Sequence, residues 1–205
     1  MTEGFKRRTP SRWGEGEALK REILAAAARM LTESGREGDL SLRAVAREVG
    51  IAAPSIYLHF KDRAELVSTV TERAYARLVA ELRDAAEQAG GDGPRAALRA
   101  MAQRYCRYAV DNPKLYRLMF GIERMEVSRD ELAHHPLWTV YEAWVGAVAA
   151  CRDGRSGTAE DERVAKLLWF SLHGIVAMAV AMPFAADRQG MAEMADDLLE
   201  LALTT

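Results

Sequence analysis

Only two cysteines, Cys106 and Cys151, occur in 205 residues. A disulfide framework is thereby excluded as the source of the fold, and both thiols are expected to be packed in helices in a reducing, cytoplasmic compartment. Together with His134 and His135 they form no spacing that a metal site uses, so neither a metal nor a cofactor is expected. Charge of one sign is also lacking. The sequence pI is about 6.1, with 12 basic against 10 acidic residues through Leu66 and 16 against 20 beyond it. Any attraction to a polyanion has to come from a local patch near the N-terminal end. Residues 1–16 carry Lys6, Arg7, Arg8 and Arg12 among Gly, Pro and Thr, but no apolar segment follows the charges. They read as a flexible basic arm, not a secretion signal. A convergent nucleophile, base and acid are missing as well, because the conspicuous polar residues cluster between Ser41 and Phe60 and on helix surfaces; enzymatic function is not expected.

What the chain does have is a dense set of local signals in Ser41 to Phe60, SLRAVAREVGIAAPSIYLHF. Leu42, Val45, Ala46 and Val49 lie at i, i+3, i+4 and i+7, one face of a short helix. Ser41 suits its N-cap, and Gly50 suits the left-handed conformation in which such a helix ends. Pro54 fits the first turn of a second helix, over Ala53 to His59, where its missing N–H has no partner to lose. Ala46 allows the two helices to approach closely, and Ile51 and Ile56 fill the space between them. Two short helices across a glycine-containing turn make the outline of a helix-turn-helix.

The surrounding residues carry a resemblance. Ile23 to Gly35 followed by Ser41 to Leu66 is similar to the N-terminal domain of the TetR family of bacterial transcriptional regulators. A helix closed by Gly35 precedes the motif, and Tyr57-Leu58-His59-Phe60 leads to a basic residue, Arg63, opening a long helix. Pro54 departs from the family's usual glycine and Arg63 from its usual lysine; arginine keeps the charge and can bind phosphate bidentately. By this resemblance Tyr57, His59 and Arg63 would hold phosphates and Arg43 and Ser55 would read bases. Ser41, Ala53, Pro54 and Lys61 complete the DNA-facing set. The second helix is poor in hydrogen-bonding side chains, so its apolar surface is expected to meet thymine methyls while Arg43 reads guanine.

Beyond this motif the pattern is mainly helical. Leu19, Ile23, Ala27, Met30 and Leu31 predict a first helix that completes a three-helix unit with the motif. A long helix follows through Leu66, Val70, Leu78 and Leu82 to about Gln88, with neither proline nor glycine inside it. Ala89-Gly90-Gly91-Asp92-Gly93 breaks the chain, Pro94 reopens a helix, and Asn112-Pro113 stops it. Lys114 to Gly121 reads as a short helix, Ile122 to His135 as irregular, and Pro136 to Cys151 as a further helix. Thr158 and Asp161 have capping-box spacing. The expected organisation is an arm (1–16), a helix-turn-helix domain (17–66) and a helical ligand-binding and dimerisation domain (67–205). The fold class is all-α.

Leu167 to Ala186 has no charged residue apart from a possible charge on His173 and is long enough to span a bilayer. Its many small residues and Pro183 argue against insertion, whereas Ser171, Gly174, Ala177 and Ala181 form a flat face for a close-packed helix. With Met191, Met194, Ala195, Leu198 and Ala202 of the last helix it is expected to form a homodimer contact, with no membrane involved. Trp169, His173 and Gly174, and Asn112-Pro113-Lys114-Leu115-Tyr116, also resemble a TetR subgroup, which implies a small-molecule effector. Met101, Tyr105, Tyr108, Met119, Phe120, Trp138, Tyr141, Trp144, Phe170 and His173 are the candidate effector-lining residues for an apolar or aromatic ligand. The expected function is a repressor released by that effector from a near-palindromic double-stranded operator. The rival expectations are a membrane-tethered DNA-binding regulator and a helical small-molecule enzyme.

Overall fold

Helices account for all regular structure among the residues that the computed structural model describes, namely 16–34, 38, 40–120, 135–152, 158–182 and 188–204. In chain order they are α1 (Gly16–Ser34), α2 (Leu42–Val49), α3 (Ala53–Ile56), α4 (Arg63–Ala89), α5 (Pro94–Asp111), α6 (Pro113–Phe120), α7 (Leu137–Cys151), α8 (Ala159–Ala181) and α9 (Arg188–Thr204), with a 3-10 turn at Gly90–Asp92. The all-α expectation holds. The arm through Glu15, the glycine stop at Gly35, the stretch 121–134 and Pro183 lie outside the described residues. Gly16, read as the end of the arm, is the first residue of α1, whose first turn contains Glu17, where a negative charge favours the helix start.

The chain divides into two units. One comprises the residues through Ala74 together with Lys114–Gly121, and the other Tyr75–Pro113 together with Ile122–Thr205. In the first, Ile23, Ala27 and Leu31 of α1 pack with Val45 and Ala46 of α2, Ile56 of α3, Phe60, and Leu66 and Val70 of α4. Each fully buried Ile, Leu or Val in this set contributes about 1.5 to 3 kcal/mol relative to remaining in water. Chain order alone assigned α6 to the C-terminal half. Instead Leu118 packs against this first core, and Lys114 Nζ donates to the Glu33 carbonyl near the end of α1.

In the second unit α5 lies against α7, α8 and α9, and α8 against α7 and α9. Leu98, Met101 and Ala102 of α5, Val140 and Val148 of α7, Leu168, Leu172 and Val176 of α8, and Met191, Ala195 and Leu199 of α9 fill its interior. Polar ties fix the register at the periphery. Arg99 Nε lies 3.2 Å from Asp196 Oδ1, Gln103 Nε2 donates to the same oxygen at 3.1 Å, and Glu81 receives Arg77 Nε at 2.8 Å and Arg104. The capping box of α8 forms in both directions: Asp161 N–H donates to Thr158 Oγ1 at 3.1 Å and Thr158 N–H to Asp161 Oδ2 at 3.2 Å. Arg152 Nε stands 3.6 Å from the buried Asp161 carboxylate. At α7, the Leu137 N–H is capped by His135 Nδ1 at 3.1 Å.

Two expectations about helix faces are refined. On α9 the inward row is Met191, Ala195 and Leu199, while Met194 and Leu201 are exposed, so the apolar residues divide between two faces instead of forming one stripe. On α8 Val164, Leu168, Leu172, Val176 and Ala179 point inward. Ser171, Gly174, Ala177 and Ala181, the small-residue set, lie on the exposed side with Leu167, Phe170 and Met178. By length and composition α8 could cross a bilayer, and 39% of its apolar window is buried within the protein.

Candidate DNA-binding and effector sites

The helix-turn-helix is built from hydrogen bonds that its sequence specifies residue by residue. Ser41, in extended backbone, accepts the Ala44 N–H on its side chain at 3.1 Å, satisfying a donor that the first turn would otherwise leave open. Gly50 adopts φ 77°, a left-handed conformation strained for any residue with a side chain. There the Gly50 N–H reaches the Arg47 carbonyl at 3.1 Å and the Ile51 N–H the Ala46 carbonyl at 2.9 Å, the paired bonds of a Schellman end. Ala46 and Ile56 are buried where α2 meets α3, and Ile51 is half-buried beside them.

The second helix is shorter than expected. It makes one turn, Ala53–Ile56, after which the His59 and Phe60 N–H groups both return to the Ile56 carbonyl at 3.0 Å. Just downstream α4 makes its own start. Asp62 Oδ1 accepts the Glu65 N–H at 2.9 Å, and Glu65 Oε2 accepts the Lys61 N–H. Chiefly through the Glu65 N–H, with Lys61 contributing, the Asp62 carboxyl is held below its ordinary range.

Ser41, Arg43, Pro54, Tyr57, Lys61 and Arg63 are exposed on this unit, and Ala53, Ser55 and His59 are half-buried. Every member of the sequence-derived DNA-facing set therefore has some accessible surface. Two neighbours were not anticipated. Leu58 is 84% exposed, the most open large apolar side chain among the described residues of the unit, and Lys20 Nζ of α1 lies 5.7 Å from the Phe60 ring centroid. Leu58 was legible as the second residue of the Tyr57-Leu58-His59-Phe60 segment; Lys20 carries no local signal.

The second unit contains a layer of rings on α5, α7 and α8. Tyr105 OH and His173 Nδ1 are 3.0 Å apart, and Tyr105 meets Trp144 edge-on with centroids at 5.8 Å. Tyr141 stacks obliquely with Trp138 at 5.0 Å and lies 6.5 Å from Trp169. Burial depresses the His173 pKa and pushes the Tyr108 phenol up to about 12. Tyr141 OH, Trp144 Nε1 and Trp169 Nε1 are buried without a hydrogen-bond partner among the described residues.

Against family models, residues 23–70 match "Bacterial regulatory proteins, tetR family", and residues 98–205, more than half of the chain, match "Tetracyclin repressor-like, C-terminal domain". The chain belongs to the TetR family. A protein of unknown function from Rhodococcus sp. RHA1 is 27% identical, with a TM-score of 0.76 over 93% of this chain and 98% of that one. A TetR transcriptional regulator from the same organism shares 18% identity at a TM-score of 0.62, covering 93% and 98%. The transcriptional regulator FadR from Bacillus subtilis, solved in complex with stearoyl-CoA, shares 13% identity at a TM-score of 0.70, covering 90% and 97%. The last two likenesses concern the fold alone.

This TetR-family chain is thus a DNA-binding transcriptional regulator with a ligand-binding C-terminal domain; dimerisation belongs to the family's character, and its members are generally not enzymes. The candidate effector residues separate on inspection. Met101, Tyr105, Tyr108, Tyr141 and Trp144 are buried in the second unit, with His173 half-buried beside Tyr105. Trp138 is 48% and Phe170 62% exposed, and Met119 and Phe120 sit on α6, in the first unit. Trp169, which the candidate set omitted, is buried in contact with Tyr141. The charges in the first half of α8 carry the phase: the exposed Arg163 and Lys166 lie seven and four residues before Phe170, whereas Trp169 follows the buried Ala165.

Proposed function

We propose that this chain is a repressor that acts as a homodimer on a near-palindromic operator and releases it when an apolar or aromatic small molecule occupies the helical domain. The observation that carries this reading is the exposed side of α8, where Leu167, Phe170 and Met178 flank the small residues Ser171, Gly174 and Ala177, with Met194 and Leu201 exposed on α9. Such a face needs a close-packed cover, and a second copy supplies a self-complementary one, which a bilayer does not. In this reading the chain ahead of α1 is an arm, the first unit the DNA-binding domain and the second the effector and dimerisation domain, and the protein works in the cytoplasm without enzymatic activity.

A two-fold dimer sets two α3 segments about 34 to 36 Å apart on one DNA face. Tyr57, His59 and Arg63 hold phosphates, with Ser41 and Lys61 beside them, while Arg43 and Ser55 address base edges and Ala53 and Pro54 meet thymine methyls. An effector that fits only the wrongly spaced arrangement lowers DNA affinity by the ratio of its affinities for the two states. The similarly folded FadR was solved with stearoyl-CoA, and the long acyl chain of that molecule supports an occupant with a large apolar part. Sequencing DNA fragments selected by the purified protein tests the reading: an inverted repeat is expected, and a site without two-fold symmetry would overturn the homodimer on a palindrome.

A further inference from the structure

We propose that the effector of this chain is a neutral, flat carbonyl compound, held through its oxygens by Tyr141 OH, Trp144 Nε1 and Trp169 Nε1. The inference rests on the reading of the second unit as an effector domain and narrows the class of molecule it takes. These three atoms are buried and unpartnered among the described residues, in side chains at least nine-tenths buried. A donor left in that state costs the fold more than an ordinary hydrogen bond returns, so native interiors rarely keep one without a use. Three on neighbouring elements are therefore informative.

Their chemistry sets the complement. An indole N–H can only donate, and a phenol donates or accepts. The matching surface is oxygen acceptors, as in an aromatic ketone, a lactone or a quinone. Helical spacing puts Tyr141 and Trp144 on one side of α7, at i and i+3, and Trp169 on α8 four residues before His173. The Tyr141 and Trp169 rings are 6.5 Å apart, and Trp144 is joined through Tyr105 to His173. Rings at these separations already touch one another, so the ligand lies against the layer and not between its members, and a flat aromatic body matches such a wall. Charge completes the description. Lys166 Nζ approaches the Tyr141 ring at 5.3 Å but is paired with Glu162 at 3.7 Å, and His173, its pKa lowered by burial, is held toward the neutral form. A carboxylate or phosphate would be buried beside these donors without a free countercharge among the described residues of the ring layer.

The test compares two tricyclic probes that differ in one carbonyl, xanthone and xanthene, by equilibrium dialysis with the full chain. Xanthone is expected to bind about tenfold more tightly, the worth of one good hydrogen bond. Tyr141→Phe and Trp169→Phe are each expected to reduce that preference about three- to tenfold. Free of probe, Tyr141→Phe keeps or raises the melting temperature, because it removes an unsatisfied hydroxyl. Equal binding of the two probes, binding of neither, or a melting temperature lowered in Tyr141→Phe as though an internal hydrogen bond had been lost would each overturn the inference. Operator affinity measured with and without xanthone is a separate arm: tight xanthone binding with the operator still held sinks the release mechanism and leaves the ligand assignment standing.

Discussion

The α2–α3 segment and the ring layer of α5, α7 and α8 are organised in opposite ways. In the first, Ser41 satisfies Ala44, Gly50 and Ile51 close the end of α2, and Ile56 collects the last two N–H groups, all within a few residues of sequence. In the second, Tyr105 finds His173 across 68 positions, and Tyr141, Trp144 and Trp169 keep donors that no described residue takes up. A surface that must present the same shape to every copy of an operator gains from local, self-contained geometry. An interior proposed to respond to a second molecule keeps part of its bonding capacity uncommitted.

That contrast can be tested, starting where the effect is largest. Ile56→Ala should cost the first unit about 2 to 5 kcal/mol, since the side chain is fully buried and its loss leaves a cavity between short helices that cannot easily collapse. Denaturant titration with a probe in this unit reads it, and a loss below 1 kcal/mol would mean that the motif is less tightly built than described. Arg43→Ala touches only an exposed side chain. It should leave stability unchanged and weaken operator binding by about 1 to 3 kcal/mol, relaxing sequence preference at a single base position. Ser41→Ala removes a cap and should destabilise by about 1 kcal/mol, whereas Ser41→Asp, which can also cap, should not.

The smallest effect belongs to the second unit. Burial depresses the His173 pKa, so below the ordinary imidazole pKa the unfolded chain binds a proton that the folded one resists. Stability is expected to be full near pH 7.5 and to fall as pH drops through 6.5 toward the lowered folded value. The slope should diminish in His173→Gln. Thermal melts across this range check the sign, and a protein that becomes more stable on acidification through this histidine would place it in an ion pair instead.

Legibility in the sequence followed the same division. Ser41, Gly50, Pro94, Asn112-Pro113 and the Thr158–Asp161 box were readable because each acts through its own backbone and its nearest neighbours. The length of α3 was not readable because nothing in the sequence from Ala53 to His59 marks the point after Ile56 where the regular helix gives way to turns. The inward side of α8 was readable from its charges but went unused: Arg163 and Lys166 share the outer face with Phe170, while Trp169 is buried in contact with Tyr141 of α7. Met119 and Phe120 entered the effector set on composition alone, and Leu118 and Lys114 show that α6 answers to the first core.

The placement of α6 affects the order in which the protein can be made. Residues through Ala74 leave the ribosome early, but the cover over their core, Leu118, and the clasp on the Glu33 carbonyl, Lys114, come last. A nascent or truncated chain ending anywhere in α4 or α5 exposes the apolar patch that Leu118 would shield. Any attempt to express the operator-reading half on its own must either carry α6 along or replace the greasy spot beneath it with something water tolerates.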